Sequence, residues 1–137
     1  MEKILALFVL SLLSLTSYAQ QNTPTASCSN LLKDGFISDG KSYMGKLNAN
    51  NKAIFHVTFF SENTYRLIAC SNNKKYPLVL KVYDTDKNLL FDNSKHHYTT
   101  YWDITFTSTV NCLVEMELEA EARLTEVVEL LIGFKQK

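Results

Sequence analysis

The sequence predicts an all-β fold: an antiparallel, jelly-roll-like β-sandwich of about eight strands, preceded by a short N-terminal helical turn. From residue 41 onward apolar and polar residues alternate with a period of two, which indicates strands with one buried face. Clusters rich in Asn, Asp and Ser, which favour turns, separate these runs at short and regular intervals. So many short strands cannot bury their apolar faces in one flat sheet, and two sheets packed face to face are therefore expected. A small closed barrel is the alternative that the periodicity leaves open.

Residues 1–19 have the pattern of a secretory signal peptide. Lys3 lies in a short basic region, an apolar run covers residues 4–15, and the Ser-Tyr-Ala of residues 17–19 fits a cleavage site. The apolar run is shorter than the roughly 20 residues that a membrane-spanning helix needs. We therefore expect cleavage after residue 19, a secreted or periplasmic mature protein, and no insertion into the membrane after cleavage.

Residues 20–40 are predicted to be a polar lead-in to the domain. The stretch SNLLKDG favours one or two helical turns, with Ser29 as the cap and Gly35 as the stop. Cys28 lies well beyond the apolar run, and the polar residues between them argue against a lipid anchor at this cysteine.

Residues 41–137 are predicted to form the sandwich. The run 111–120 alternates most clearly, with Cys112 and its alternate neighbours on the buried side and Glu115 on the solvent side. Trp102 is in phase with the apolar side of its own run, which predicts a core position. The eight predicted strands cover, in chain order, residues 42–48, 52–60, 64–70, 77–84, 88–93, 101–108, 111–120 and 127–135.

Three cysteines allow one disulfide and one remaining thiol, and an exported protein meets an oxidising compartment. Cys70 and Cys112 are the preferred pair, because both lie near strand ends in the predicted sheet core, whereas Cys28 lies in the lead-in. The alternative is three buried, reduced cysteines that pack as small apolar residues.

Charge and motifs exclude several classes of function. The chain carries 14 basic and 14 acidic residues, so it has no electrostatic footprint for nucleic acid or for an anionic membrane. It also lacks a serine nucleophile motif, a phosphate loop and a dinucleotide fingerprint. We expect no cofactor, no catalytic residue and no enzyme. A glycan hydrolase that uses a carboxylate pair is a weaker alternative, supported by the abundance of Asp and Glu alone.

Residues 83–103, YDTDKNLLFDNSKHHYTTYWD, have the composition of a metal site or a sugar-binding surface. Asp84, Asp86 and Asn88 match the first ligands of an EF-hand loop, but Leu89 stands where that loop needs glycine. These residues are therefore predicted to form a hairpin turn. The adjacent residues His96 and His97 would point to opposite sides of an extended segment, so no metal site is predicted there.

Four side chains in this stretch are candidates for ligand binding. Tyr83 and Tyr101 are out of phase with the core and, with Tyr98 and the flanking His97, could line one exposed surface that stacks on a sugar ring. The alternative is that the tyrosines form cross-strand pairs without a ligand.

Several runs also carry a resemblance to known proteins. TFFSENTYRLIAC, LVLKVYDTDKNLLFDN and YWDITFTSTVNCLVEMEL, with the closing LLIGFK, resemble small secreted β-sandwich proteins of Gram-negative bacteria. They are more distantly similar to pre-peptidase C-terminal and Golgi-dynamics (GOLD) type jelly-roll modules. The resemblance covers residues 41–135 and implies a non-enzymatic accessory or binding domain, without assigning any functional residue.

These observations predict an exported, non-catalytic binding module whose partner is a glycan or a protein of the cell envelope. The alternative is a structural subunit of an envelope assembly that uses an exposed sheet edge for strand addition.

Overall fold

Two antiparallel sheets pack face to face in the computed structural model, which describes residues 28–136. The predicted all-β sandwich is confirmed, whereas the predicted signal peptide and the first part of the lead-in lie outside the described residues. In the described part, no helix is long and apolar enough to cross a membrane. Two 3-10 turns occupy Ser29–Leu31 and Asn93–His96. The strands are β1 (Ile37–Ser38), β2 (Tyr43–Lys46), β3 (Lys52–Phe59), β4 (Asn63–Ser71), β5 (Leu78–Asp84), β6 (Leu89–Asp92), β7 (Tyr101–Thr105), β8 (Val110–Leu118) and β9 (Val127–Gln136).

The order of the strands is that of a jelly roll. In sheet A, β1 and β2 both pair with one side of β9, and β4 and then β7 follow on its other side. In sheet B the order is β3, β8, β5, β6. The pairs β2–β9, β3–β8, β4–β7 and β5–β6 are therefore nested in the chain like one long hairpin, and successive pairs alternate between the sheets. Such a hairpin rolled into two facing sheets is a jelly roll.

The predicted turn at residues 84–88 forms the tip of this rolled hairpin. The Asp84 carboxylate accepts hydrogen bonds from the backbone amides of Asp86 (2.9 Å) and Asn88 (2.8 Å), and from the Asn88 side chain (2.9 Å). Hydrogen bonds from Asn88 lower the pKa of Asp84 below its ordinary value. The carboxylate that could have begun a calcium loop therefore stabilises the turn itself.

Strand β8 has the alternation that the sequence predicts. Its residues 112, 114, 116 and 118 are buried between the sheets, and the intervening glutamates lie on the outer face of sheet B. Lys52 on β3 contacts two of these glutamates, with Nζ 2.9 Å from Glu115 Oε1 and 3.5 Å from Glu117 Oε2. The dense acidic series on this strand is thus a solvent-facing row, partly neutralised by its neighbour.

The side-chain amide of Asn93 bonds to backbone groups that have no strand partner where the chain leaves β6. This side chain is 1% exposed; its Oδ1 accepts from the Leu80 amide at 2.8 Å, and its Nδ2 donates to the carbonyls of Leu78 (3.0 Å) and Thr99 (3.2 Å). Three backbone groups that no strand satisfies are therefore satisfied by one buried amide.

Strand β4 and the middle of β9 are buried on both faces. Residues 28–36 lie over the outer face of sheet A, and Arg66, which is 4% exposed, attaches them to it. The Arg66 Nη1 donates to the Leu31 carbonyl at 3.1 Å and to the Asp34 carboxylate at 3.2 Å. Its Nε and Nη2 donate to both oxygens of Asp103 on β7, at 2.7 and 2.8 Å. One cation thus binds the covering segment to two strands of the sheet.

Apolar contacts reinforce this attachment. The Arg66 guanidinium packs over the ring of Phe36 at 4.2 Å and over the ring of Tyr101 at 4.5 Å. On β9, a Cβ atom at Gly133 would lie 2.6 Å from Leu32 Cδ2, so a larger residue there would displace the Leu32 side chain. The covering segment is thus packed closely against the sheet at Leu32 and at the buried Phe36.

The predicted disulfide between Cys70 and Cys112 is wrong, because the structure pairs Cys70 with Cys28, with Cα atoms 6.1 Å apart. Cys70 lies on the outer face of sheet A, in a small apolar cluster with Ile68 under the covering segment. Cys112 faces the core between the sheets and keeps a buried free thiol. Sheet A separates the two side chains, so their sulfur atoms cannot meet.

Candidate functional site

Tyr83, the first predicted ligand residue, lies on the outer face of sheet B. It belongs to a row of cross-strand neighbours that runs from His56 on β3 through Leu113 on β8 and Tyr83 on β5 to Leu89 on β6. Leu89 is 52% exposed. The row is a shallow apolar stripe, in which Tyr83 has the cross-strand neighbours that the alternative interpretation described.

The other three predicted residues lie elsewhere. Tyr101 is on the outer face of sheet A, where its ring packs against Arg66. His97 and Tyr98 follow the second 3-10 turn and both have left-handed backbone angles. The Tyr98 hydroxyl donates to Glu119 at 3.0 Å, and this hydrogen bond is the main cause of a raised pKa for Tyr98. Tyr83 and Tyr101 lie on opposite faces of the sandwich, so the four residues do not form one shared surface.

Trp102 closes the sandwich along the edge formed by β6 and β7. Its ring stacks on Phe91 at 4.8 Å and lies 4.4 Å from the ring of His96, which itself stacks on Phe91 at 5.5 Å. Trp102 is packed against the main core, as its phase predicts. His96 is thereby part of an aromatic stack.

The opposite edge of the sandwich is open because the edge segment of sheet A bulges away from β9. The Asp39 amide donates to the Ile132 carbonyl at 3.0 Å, whereas Tyr43 pairs with Leu130. Between these two points the edge segment advances by four residues, from 39 to 43, whereas β9 advances by only two, from 132 to 130. The two extra residues form a bulge at Gly40, whose φ is +76°. A cleft opens between this bulge and the end of β3.

This cleft has a volume of about 240 Å³ and reaches between the two sheets. Its polar lining comes from Asp39, Lys41, Thr58 and Asn63. Its apolar and aromatic lining comes from Tyr43, Val57, Phe60, Tyr65, Ile132 and Phe134.

Hydrogen bonds fix the two walls of the cleft. On the wall from sheet A, the Tyr43 hydroxyl donates to Asp39 Oδ2 at 3.2 Å, and Asp39 Oδ1 accepts from the Lys41 amide at 2.9 Å. A further hydrogen bond joins the two walls, since the amide of Phe60, just after β3, donates to the hydroxyl of Tyr65 on β4 of sheet A at 2.9 Å. The Phe60 ring itself is 57% exposed at the mouth of the cleft. The lining thus combines an exposed aromatic ring that follows β3 of sheet B with a carboxylate from the edge of sheet A.

The polar chemistry of the lining comes mainly from one phenol and one carboxylate. Burial, and secondarily the Asp39 carboxylate, raise the pKa of Tyr43 to about 12, so this phenol stays protonated and donates a hydrogen bond at neutral pH. Asp39 is the one carboxylate in the lining, whereas glycoside hydrolysis by the common mechanisms needs two that flank the bond. Among residues 28–136, no group of three or more His, Cys, Asp or Glu side chains is placed to hold a metal ion.

Sequence reasoning missed this cleft because its lining comes from segments that are far apart in the chain. One local signal was present: two consecutive phenylalanines, Phe59 and Phe60, interrupt the alternation at the end of β3. Phe59 is fully buried, so its neighbour has to point the other way and stays exposed.

No protein-family model matches the sequence, and no curated protein matches it. The jelly roll does not identify a function either, because folds of this kind carry many unrelated activities. What the protein does has to be inferred from the chemistry of its surface.

Proposed function

We propose that this chain is a secreted or periplasmic, non-catalytic binding module, and that the cleft between residues 39–43 and the end of β3 holds its ligand. The observation that carries the proposal is the lining of the cleft, in which aromatic walls from both sheets meet a carboxylate at one rim. Concave, mostly apolar sites with a few placed polar groups are the usual form of a ligand site.

The exposed ring of Phe60 supports this assignment. At 57% exposure it leaves much of its apolar area in water in the free protein. Covering a ring of this size contributes about 2 kcal/mol to a complex. The Asp39 carboxylate at the opposite rim adds an acceptor, so the ligand combines an apolar group with a hydrogen-bond donor.

The size of the cleft limits what enters it. Sites that enclose a whole drug-sized ligand have volumes of about 300 to 1,000 Å³, and this cleft is smaller, at about 240 Å³. It therefore takes one group of a larger ligand, such as a side chain of a peptide or a single sugar ring, while the rest of the ligand lies along the surface.

Export belongs to the same proposal. The N-terminal signal pattern directs the chain out of the cytoplasm. The Cys28–Cys70 disulfide is compatible with an oxidising compartment. Kinship with pre-peptidase C-terminal or GOLD-type modules, suggested by the resemblance of residues 41–135, remains part of the proposal.

The test is an amide-shift titration of the isotope-labelled mature protein by nuclear magnetic resonance. The probes are soluble peptidoglycan fragments, soluble envelope oligosaccharides and a library of short peptides with alternating apolar and polar residues. We expect at least one probe to shift the amides of residues 39–43 and 57–60. Phe60→Ala should weaken that probe by about 30-fold, since it removes about 2 kcal/mol of apolar contact.

The matched control is Leu89→Ala, which truncates a side chain of similar exposure on the outer face of sheet B. Its affinity should stay within about twofold of the wild type. Shifts that cluster around Tyr83 or Tyr98 instead would show that the cleft is not the ligand site.

A further inference from the structure

The free edge of β3 runs along the cleft, and its backbone groups point outward in a regular row. The Leu118 amide donates to the Asn51 carbonyl at 3.2 Å, which marks these residues as a hydrogen-bonded pair of the β3–β8 ladder. Hydrogen-bonded pairs alternate in an antiparallel ladder. The N–H and C=O groups of Ile54, His56 and Thr58 therefore face away from β8, toward the edge at which no strand of the described residues is hydrogen-bonded to β3.

The outward backbone groups at both ends of this row have hydrogen-bond partners among the described residues, whereas the groups between them are open to a new partner. At one end, the Lys52 carbonyl and amide bond to the backbone amide and side chain of Asn48. At the other end, the Phe60 amide donates to the Tyr65 hydroxyl. Residues 54–58 are left between these ends, a length of about 17 Å.

The other edges of the sandwich are protected in ways that β3 is not. Strand β6 has four residues and a register shift beside it, and the edge formed by β1 and β2 is broken by the bulge at Gly40. Strand β7 is short, with five residues against the eight of β3. Strand β3 pairs without interruption over eight residues and contains no proline, and its lysine is held by glutamates of β8. Unprotected edges of this kind recruit another strand.

A strand added to this edge would also reach the cleft. Residues directly opposite one another in a ladder point to the same face, so a residue opposite Val57 would point inward, between the sheets. Val57 lines the cleft, as do Thr58 and Phe60 just beyond it. We infer that the ligand is an extended peptide segment that pairs with Ile54–Thr58 of β3 and inserts one apolar side chain into the cleft. This inference rests on the proposed function of the cleft.

An extended peptide fits this edge better than a second copy of the chain or a sugar. A strip about 17 Å long and roughly 10 Å wide is far below the about 800 Å² per partner of a stable protein interface. In a β3–β3 pair the inward residues would be those already buried in each core, so the cleft would stay empty. Alternating N–H and C=O groups at every second residue are complementary in charge to another peptide backbone, and a sugar lacks that repeat.

The experiment uses peptides of the pattern Lys-Thr-X-Thr-X-Thr-X-Thr-Lys, where X is Val, Ile, Leu, Phe or Tyr. If the peptide pairs antiparallel to β3, the N–H groups of its threonines point toward β3, and the X side chains point toward the cleft. If the peptide pairs parallel to β3, the N–H groups of the X residues point toward β3 instead. The best binder is made in two N-methylated forms, one at the threonines and one at the X positions. One form should bind about tenfold or more weakly and the other should bind as before, because only one set of amides donates to β3.

A pair of protein variants tests the same contact from the other side. His56→Pro removes one outward N–H without changing the ladder to β8, whereas His56→Ala keeps that N–H. Peptide affinity should fall about fivefold in His56→Pro and remain unchanged in His56→Ala, with both folds checked by thermal unfolding. If His56→Pro does not fold, the methylated peptides decide the question alone.

The outcomes separate the two proposals. Equal binding of both methylated peptides, or no peptide binding while an oligosaccharide shifts the cleft amides, would overturn strand addition and leave the binding function intact. A dimer that forms through β3 and excludes the peptides would identify a second copy as the occupant and overturn the inference. Absence of any shift at the cleft with every probe would overturn both proposals.

Discussion

Replacing Arg66 by methionine is expected to destabilise the protein by about 3 kcal/mol, because this cation joins the covering segment 28–36 to sheet A. Its two hydrogen bonds to Asp103 contribute about 1 kcal/mol, a small value because the Asp103 side chain is 38% exposed and regains water when the pair is lost. The hydrogen bond to the Leu31 carbonyl contributes about 1 kcal/mol. The two ring contacts of the guanidinium contribute about 1 kcal/mol together.

For a domain of this size, a loss of about 3 kcal/mol lowers the unfolding temperature by roughly 10 °C. Hydrogen bonds to Asp103 are the main reason that the pKa of Arg66 is raised above its already high ordinary value. The stabilisation that the Arg66 cation gives the folded protein is therefore fully present below the pKa of an unfolded arginine and is not lost at any pH used in practice. The loss in Arg66→Met should accordingly be the same at pH values of about 6 and 9.

The assay is denaturant unfolding of the wild type, Arg66→Met, Arg66→Lys and Lys135→Met, combined with amide hydrogen exchange. Lysine keeps the charge but loses the paired bonds and the flat stacking surface, so Arg66→Lys should lose about 2 kcal/mol. Lys135 is an exposed cation that contacts the same segment through the Asp34 carbonyl, and its removal should cost at most about 0.5 kcal/mol. An Arg66→Met protein within about 1 kcal/mol of the wild type, with unchanged exchange in residues 28–36, would refute this account of the attachment.

Three further changes test other parts of the structure. Burial raises the pKa of the Cys112 thiol to about 11, so this residue should resist alkylation at about pH 8 until the protein unfolds, and alkylation of the native protein would contradict its assignment. Because the pKa of Tyr43 is raised to about 12, the contribution of this phenol to stability should be constant below the ordinary tyrosine pKa of about 10 and be lost as the pH rises from there to 12; Tyr43→Phe should make the fall in pH-dependent unfolding smaller than in the wild type, and an equal fall would contradict this contribution. Asn93→Ala should lower the free energy of unfolding by about 3 kcal/mol in denaturant unfolding, because it leaves three buried backbone groups without a partner. Truncation of the exposed Asn72 should lower it by at most about 0.5 kcal/mol. Equal losses in the two variants would show that water replaces the Asn93 amide.

Most of the fold could be predicted because each of the eight longer strands has its own local signature. Alternation identifies a strand with one buried face, and the turn clusters mark where each strand ends. Strand β1 has no such signature: it has two residues and exists because Ile37 and Ser38 pair with β9. The register of the sheets, and hence the jelly roll, depends on pairing between strands far apart in the chain, which local pattern does not encode.

The errors concern what covers a strand and which side of a sheet a residue occupies. Periodicity assigned Cys70 and Cys112 to strands correctly, but it could not show that the two cysteines face opposite sides of sheet A. The prediction for Tyr101 had the same weakness, since a position out of phase with the core was taken to be exposed. In the structure that outer face is covered, and Tyr101 packs against Arg66 beneath the N-terminal segment.

The attachment of the N-terminal segment and the open cleft are parts of one continuous structure. The segment held by Arg66 continues through β1 into Asp39, whose amide bonds to Ile132 and whose carboxylate accepts from Tyr43. One wall of the cleft therefore follows directly, through β1, from the segment that covers sheet A. Loss of the Arg66 contacts should speed hydrogen exchange at the Asp39 amide and weaken any probe that binds in the cleft, although Arg66 lies on the opposite face of the sheet. If exchange rises in residues 28–36 while the Asp39 amide stays protected, the bulge is held by its own hydrogen bonds, and stability and binding are separable in this fold.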